Sequence, residues 1–330
     1  MFLGMNAYAE EKPGNKWREV FEKYWPNYQK WYLSEGYTAR PGYLSCFEAL
    51  SEHMPELVPT YELLCELAGG HDLPARFLSL YGPPPYLSGC SQLAWTKGRN
   101  ALIRNYDYSA KLFDGIFMKT NWLKPVMAMC DCMWGVLDGI NGDGLAVSLS
   151  FGGRKVYGSG FGIPILLRYV LETCSTAQEG AQALARIPVH MQYNVTLIDE
   201  KGNYATVFLA PDRPSEISFV SYATNHQHVV EWDDYAKMTR TIERSQYIEH
   251  CLLNPYESFF SMLNKFLKPP LYHNQFLKGF GTLYTAVYHP NEKQVELIWP
   301  YKKHIYSFNS FIESTFTINL SEGIRGKMTT

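Results

Sequence analysis

The chain lacks any uncharged apolar run of about 18 residues, so it has no segment suited to a transmembrane helix. Charge is also scarce: Asp, Glu, Lys and Arg make up 19% of the residues, with a formal net charge of −2. Without a long basic block there is no electrostatic footprint for nucleic acid. The seven cysteines are odd in number and irregular in spacing, which does not describe a disulfide framework. A reducing compartment is therefore expected, and with it a cytoplasmic location. Cys130-Asp131-Cys132 has one intervening residue and no matching second pair, so both cysteines read as core rather than zinc ligands. His226-Gln227-His228 has no acidic third ligand at helical spacing and reads as a solvent-facing loop. Residues 138–144 lack the carboxylate register of a calcium loop. No metal and no cofactor is expected. Met1 to Ala9 ends in Ala-Tyr-Ala, similar to a cleavage site, but has no basic n-region and too short an apolar part for a signal peptide. It reads as a disordered start.

What is present is a compact globular composition: 46% hydrophobic and 15% aromatic over 330 residues. Aromatics at that level favour strands and apolar pockets. Residues 17–31 (with a kink or break expected at Pro26), 43–53 and 56–67 carry helical apolar spacing, and 73–81 adds a short helix. The run Gly82-Pro83-Pro84-Pro85 then ends helix formation and is expected to place the next residues on an exposed, extended segment.

Beyond it the pattern turns to strands. Residues 91–97 and 100–108 form a hairpin about Gly98-Arg99, and 126–137 pairs with 145–151 about Asn141-Gly142-Asp143-Gly144. A helix over 164–174 comes next, and a second is opened by the capping box Thr176-Ala-Gln-Glu179. Strands at 192–199, 204–210 and 216–223, helices at 238–253 and 257–267, and strands at 281–289 and 294–299 complete the order. Hairpin-linked strands interrupted by helix pairs imply antiparallel sheets with helices on their outer faces, an α+β fold.

The residue that stands out is Cys90, directly after Gly89 and the proline break. Cleavage between them would give one residue both a thiol nucleophile and an α-amine of pKa about 7.7–8.0 to serve as its base. With a two-residue loop at Gly98-Arg99, counting outward sets Cys90 opposite Asp107, close enough for the carboxylate to hold that amine. Arg104, three residues from Asp107, then points to the other face unless a bulge realigns it.

Gly89-Cys90-Ser91, Arg104-Asn105-Tyr106-Asp107, Thr224-Asn225-His226 and Thr241-Ile242-Glu243-Arg244, in that order, resemble the signature of N-terminal-nucleophile (Ntn) hydrolases. More narrowly they resemble the choloylglycine hydrolase and acyl-coenzyme A:6-aminopenicillanic acid acyltransferase branch. The string His53-Met54-Pro55-Glu56-Leu57 is similar to the cleaved α-chain of the acyltransferase-like members. The resemblance implies a four-layer αββα sandwich of two antiparallel sheets behind a helical N-terminal segment. It implies a pro-segment or α-chain of residues 1–89, cut at Gly89–Cys90, and a catalytic chain of residues 90–330, the two staying associated. In the implied roles Cys90 is the nucleophile, Arg104 fixes its thiolate, Asp107 binds the α-amine, Asn225 donates to the oxyanion, and Arg244 supports the cluster. Ser150, through its backbone N–H, is the implied second oxyanion donor. The substrate would be a small-molecule amide with an acyl group. Hydrolysis, acyl transfer to an amine, and a degenerate member that only binds an acyl ligand all remain open, as does a homo-oligomer. A papain-like reading fails because Cys90 precedes a strand rather than a helix.

Overall fold

The computed structural model describes residues 1–85, 87–276 and 279–321. The chain opens with β1 (Phe2–Glu10), followed by four helices, α1 (Asn15–Tyr32), α2 (Tyr43–His53), α3 (Val58–Leu67) and α4 (Asp72–Leu78). Six strands come next: β2 (Gly89–Trp95), β3 (Ala101–Tyr108), β4 (Ile116–Asn121), β5 (Pro125–Asp131), β6 (Gly135–Asn141) and β7 (Ala146–Phe151). Helices α5 (Ile163–Thr173) and α6 (Ala177–Arg186) lead to β8 (Tyr193–Ile198), β9 (Tyr204–Leu209), β10 (Glu216–Ser218) and β11 (Tyr222–Ala223). After α7 (Asp233–Thr239), α8 (Thr241–Leu253) and α9 (Phe259–Phe266) come β12 (Gly281–His289), β13 (Gln294–Trp299), β14 (Lys302–Ser307) and β15 (Ser314–Asn319).

The strands form two sheets. The larger has the order β10-β9-β8-β7-β6-β5-β4-β1-β15, the smaller β11-β2-β3-β12-β13-β14. Neighbours are antiparallel, with β1 and β4 the parallel exception. Helices α5 and α6 cover the outer face of the large sheet, while α8 and α9 cover the small one. The inner faces meet where β2 and β3 lie over β7 and β8. The αββα sandwich therefore stands as expected. Strands β2, β6, β7 and β8 are buried along their whole length, on both faces, polar residues included. Among the described residues no helix is long and apolar enough to cross a membrane.

Several local expectations change. Met1 to Ala9 is not a disordered start: Leu3, Met5 and Ala7 face the core, and Phe2–Glu10 is a strand held between β4 and β15. Helix α1 does not break at Pro26, which is exposed, but continues to Tyr32. Residues 126–137 are not one strand but the end of β5, a turn at Cys132–Trp134 and the start of β6. Residues 238–253 divide at Arg240, which takes φ 53° between α7 and α8. The capping box at Thr176 and Glu179 is formed in both directions.

Candidate active site

Register in the β2–β3 hairpin decides the geometry. The connection spans residues 96–100, five residues rather than two, and Trp95 pairs with Ala101. Asp107 therefore lies opposite Gly89, while Cys90 lies opposite Tyr106 and Gln92 opposite Arg104. This corrects the expected Cys90–Asp107 pairing, and it also removes the difficulty with Arg104. Opposed residues and their second neighbours share a face, so Cys90, Gln92, Arg104 and Tyr106 point between the sheets with no bulge in this pair. Gly89, Ser91, Asn105 and Asp107 belong to the other face, towards α8 and α9. The extended segment before Cys90 is not exposed as expected either: Pro83, Pro84, Ser88, Gly89 and Cys90 are buried.

On the inner face the Cys90 thiol lies 3.2 Å from Nη2 of Arg104 and 3.7 Å from the Ser88 hydroxyl. Burial pushes the thiol pKa up, opposed by the Arg104 guanidinium and by the hydrogen bonds from Ser88 and Arg104. Arg104 is itself fixed. Its Nε donates to the Leu149 carbonyl at 3.1 Å and its Nη1 to the Tyr284 hydroxyl at 3.1 Å, and it forms a fully buried ion pair with Asp138. Asp138 also accepts from the hydroxyls of Tyr284 (2.5 Å) and Tyr288. These three residues escape sequence reading, which assigns Asp138 to a turn. The available signal was an acid within the apolar run Gly135-Val-Leu-Asp-Gly-Ile.

On the outer face Arg244, projecting from α8, grips the backbone of the same residue. Its Nη1 donates to the Cys90 carbonyl (2.6 Å) and the Ser91 hydroxyl (2.8 Å), and its Nη2 to Oδ1 of Asn225 (2.6 Å). That Asn225 oxygen also accepts the Cys90 N–H at 2.9 Å. With two donors on Oδ1, the orientation of the amide is fixed by its network. Nδ2 then has two hydrogens to place, and they go to the Phe151 carbonyl and the Ser88 carbonyl, both at 3.1 Å. Gly153 (φ 87°) lets its loop pass over this site, since a Cβ there would lie 2.3 Å from the Asn225 carbonyl oxygen.

Asp107 is 3.5 Å from Nη1 of Arg244 and accepts from the Thr282 hydroxyl at 2.6 Å through Oδ1. Its Oδ2 is buried without a hydrogen-bond partner, and so is Nε2 of His273, 3.7 Å away. Gly89 admits no side chain: a Cβ would stand 2.5 Å from the Phe280 ring and 3.2 Å from Cβ of Asp107. Ser150 is placed differently from the others. Its hydroxyl donates to the Thr224 carbonyl and accepts from Gln92 and Asn194, within the core between the sheets. None of the hydrogen bonds of its side chain reaches Cys90. His226 is not a free loop residue, because its Nδ1 is 2.8 Å from the Thr241 hydroxyl; His228 alone of the pair is exposed.

Two cavities adjoin the junction. One of 330 Å³ is bordered by Ser88, Gly89, Tyr108, Trp232, Tyr235 and Phe280. A second, of 750 Å³, has Tyr24, Tyr28, Trp31, Tyr108 and Phe113 along its wall and the carboxyl groups of Asp114 and Asp131 at one side. Leu87 and Tyr108 border both. Cys90 lines neither and has no exposed surface. Arg104, Asp107, Asn225 and Arg244 are thus brought together about Cys90, while the Ser150 side chain bonds Thr224, Gln92 and Asn194.

With this geometry in place, comparison with known proteins is informative. Residues 95–304 match the model of the acyl-coenzyme A:6-aminopenicillanic acid acyl-transferase family. The chain belongs to that family. The match includes Arg104, Asp107, Asn225 and Arg244 but begins after Cys90. No curated protein matches the chain. Among solved structures, a mutant conjugated bile acid hydrolase from Clostridium perfringens is similar at 13% identity, over 70% of this chain and 97% of that one, with a TM-score of 0.48. A penicillin V acylase from Agrobacterium tumefaciens is also 13% identical, over 69% and 90%, with a TM-score of 0.44. The Caenorhabditis elegans ortholog of N-acylethanolamine-hydrolyzing acid amidase is 16% identical, over 70% and 100%, with a TM-score of 0.47.

Proposed function

We propose that this family member is a self-processing cysteine amidase that cuts its own Gly89–Cys90 bond and then cleaves a non-peptide amide through a Cys90 acyl-enzyme. One observation carries the reading: Cys90 is held at three atoms at once, its N–H by Asn225, its carbonyl by Arg244 and its thiol by Arg104. Any buried cysteine needs partners for its N–H and carbonyl, but a structural one needs neither side chains to supply them nor a guanidinium at its sulfur. In maturation the thiol attacks the Gly89 carbonyl carbon, the acyl group moves from nitrogen to sulfur, and water hydrolyses the thioester. The products are a Gly89 carboxylate and a free Cys90 amine.

In turnover that amine accepts the thiol proton, and the thiolate beside Arg104 adds to the substrate carbonyl. Asn225 stabilises the oxyanion with the N–H that the Ser88 carbonyl occupies before cleavage. The amine product leaves with the proton, and water releases the acid. Asp107, across from Gly89, is the carboxylate nearest in register to the new amine. The aromatic wall of the 750 Å³ cavity supports an apolar acyl group. Because α1 supplies three of those aromatics, residues 1–89 would stay as part of the binding site after cleavage. An amine acceptor in place of water would make the same acyl-enzyme a transferase, the activity that the family's name carries.

The test is intact-mass measurement on purified protein, followed by a panel of N-acyl amides. Fragments of residues 1–89 and 90–330, with both cleavage and turnover abolished by Cys90→Ala, are expected. A single intact chain whose amidase activity survives Cys90→Ala would sink the proposal.

A further inference from the structure

The Ser88 carbonyl oxygen is an unusual acceptor. It belongs to the residue before the cleavage pair, it is buried, and it receives two side-chain donors: Nδ2 of Asn225 at 3.1 Å and the Tyr235 hydroxyl at 2.7 Å. No ladder bond is made there, because β2 begins one residue later at Gly89. Two converging donors around one carbonyl oxygen are the arrangement that stabilises a tetrahedral oxyanion.

Both donors are held by groups that cleavage leaves in place. Asn225 is anchored through Oδ1 to Arg244 and through its other N–H to the Phe151 carbonyl, so one N–H alone is committed to Ser88. The Tyr235 ring lies flat on Trp232 (5.0 Å between centroids) and edge-on to Phe151 (5.1 Å), which fixes where its hydroxyl points. Tyr235 borders the 330 Å³ cavity, and Ser88 and Gly89 form part of the same wall. Burial above all, with Cys90 next, raises the phenol's pKa well above its ordinary value, so it is a neutral donor throughout the working range.

We propose that Tyr235 is a catalytic residue, the second oxyanion donor beside Asn225, and that the Ser88 carbonyl occupies the substrate's seat until cleavage vacates it. Tyr235 supplies the second donor, for which the resemblance implied the Ser150 backbone N–H. When the Cys90 thiolate adds to the amide carbon, the carbonyl π pair moves to oxygen. The Tyr235 O–H and Asn225 N–H then shorten onto that charge. Collapse of the intermediate returns the pair and expels the amine. The occupant recognised here is the carbonyl oxygen of an amide, whatever its acyl group.

The inference rests on the self-processing amidase reading, and the two fail differently. A wild-type chain that stays intact and inactive overturns both. For a cleaved wild type, kcat is measured per mature active site, counted with a thiol-reactive probe, in Tyr235→Phe. Loss of about 100-fold in kcat with KM within about threefold is expected for one missing oxyanion donor. A mature Tyr235→Phe enzyme with kcat within about threefold of wild type overturns the role and leaves the amidase reading standing. If Tyr235→Phe fails to fold or to cleave, a fluorinated tyrosine of lower phenol pKa is placed at 235, where it keeps shape and donor. The kcat per active site should then change with the altered donor strength while KM stays within about threefold, which a purely structural tyrosine would not cause; an unchanged kcat overturns the role.

Discussion

The two faces of the β2–β3 hairpin handle buried charge in opposite ways. Between the sheets, Arg104 meets a carboxylate, a carbonyl, a hydroxyl and the Cys90 sulfur, and Asp138 is answered by two tyrosine hydroxyls as well. Towards α8, Asp107 has one oxygen bonded to Thr282 and one that makes no hydrogen bond, 3.5 Å from the Arg244 guanidinium and facing a histidine nitrogen that makes none either. Buried polar groups without partners are uncommon and costly. The thiol side is complete as folded. The side that the new α-amine would enter has the Arg244 guanidinium at ion-pair distance but no donor in hydrogen-bond geometry on Oδ2, as a site with room for a second cation would. Burial also lowers the His273 pKa, against the pull of Asp107, so the imidazole does not supply that cation at neutral pH.

The same substitution made on each face tests the contrast. Asp138→Asn strands Arg104 in the interior, and a loss of about 3–5 kcal/mol in stability is expected from denaturant unfolding. Asp107→Asn keeps the Thr282 contact and takes the carboxylate from Arg244, which still has its four hydrogen-bond acceptors, so the intact precursor (Cys90→Ala background) should lose less than the Asp138→Asn chain does. In the mature enzyme the same change should lower kcat by about 100-fold, because the amine loses its carboxylate. Equal losses of stability from the two Asn variants would break the comparison.

A third carboxyl sharpens it with a smaller effect. Asp114, beside Asp131 and the Tyr28 hydroxyl, manages without a cation by keeping its proton: burial and then Asp131 raise its pKa to about 8. The folded form thus holds a proton that the unfolded chain releases near the ordinary value of 3.8. Stability should decline as pH rises from about 4 to about 8. Asp114→Asn should flatten that decline in melting experiments across the interval; an unchanged slope would show that the raised carboxyl does not govern it.

The sequence carried the layered fold, and it singled out Arg104, Asp107, Asn225 and Arg244, which the structure gathers around Cys90, because motif order and turn chemistry are local information. It missed what depends on one count or on distant pairing. Taking the β2–β3 connection as two residues instead of five shifted the register by one, which moved Asp107 across from Cys90 and turned Arg104 away. Strand β1 did alternate apolar and polar side chains, but lying at the start of the chain it read as a tail. Asp138, Tyr235 and His273 come to the site from about 50 to 180 residues away along the chain, and no short motif marks them.

The position of β1 has a further consequence. One edge of this strand is hydrogen-bonded to β4 and the other to β15, so the N-terminal segment is a slat inside the sheet of the larger chain. Were the bond at Gly89 cut, the two pieces would be interleaved rather than docked, and separating them would mean tearing a nine-stranded sheet along two seams. The chain would have to fold as one molecule before it could become two. Its subunits, once made, could not exchange with those of another copy short of unfolding.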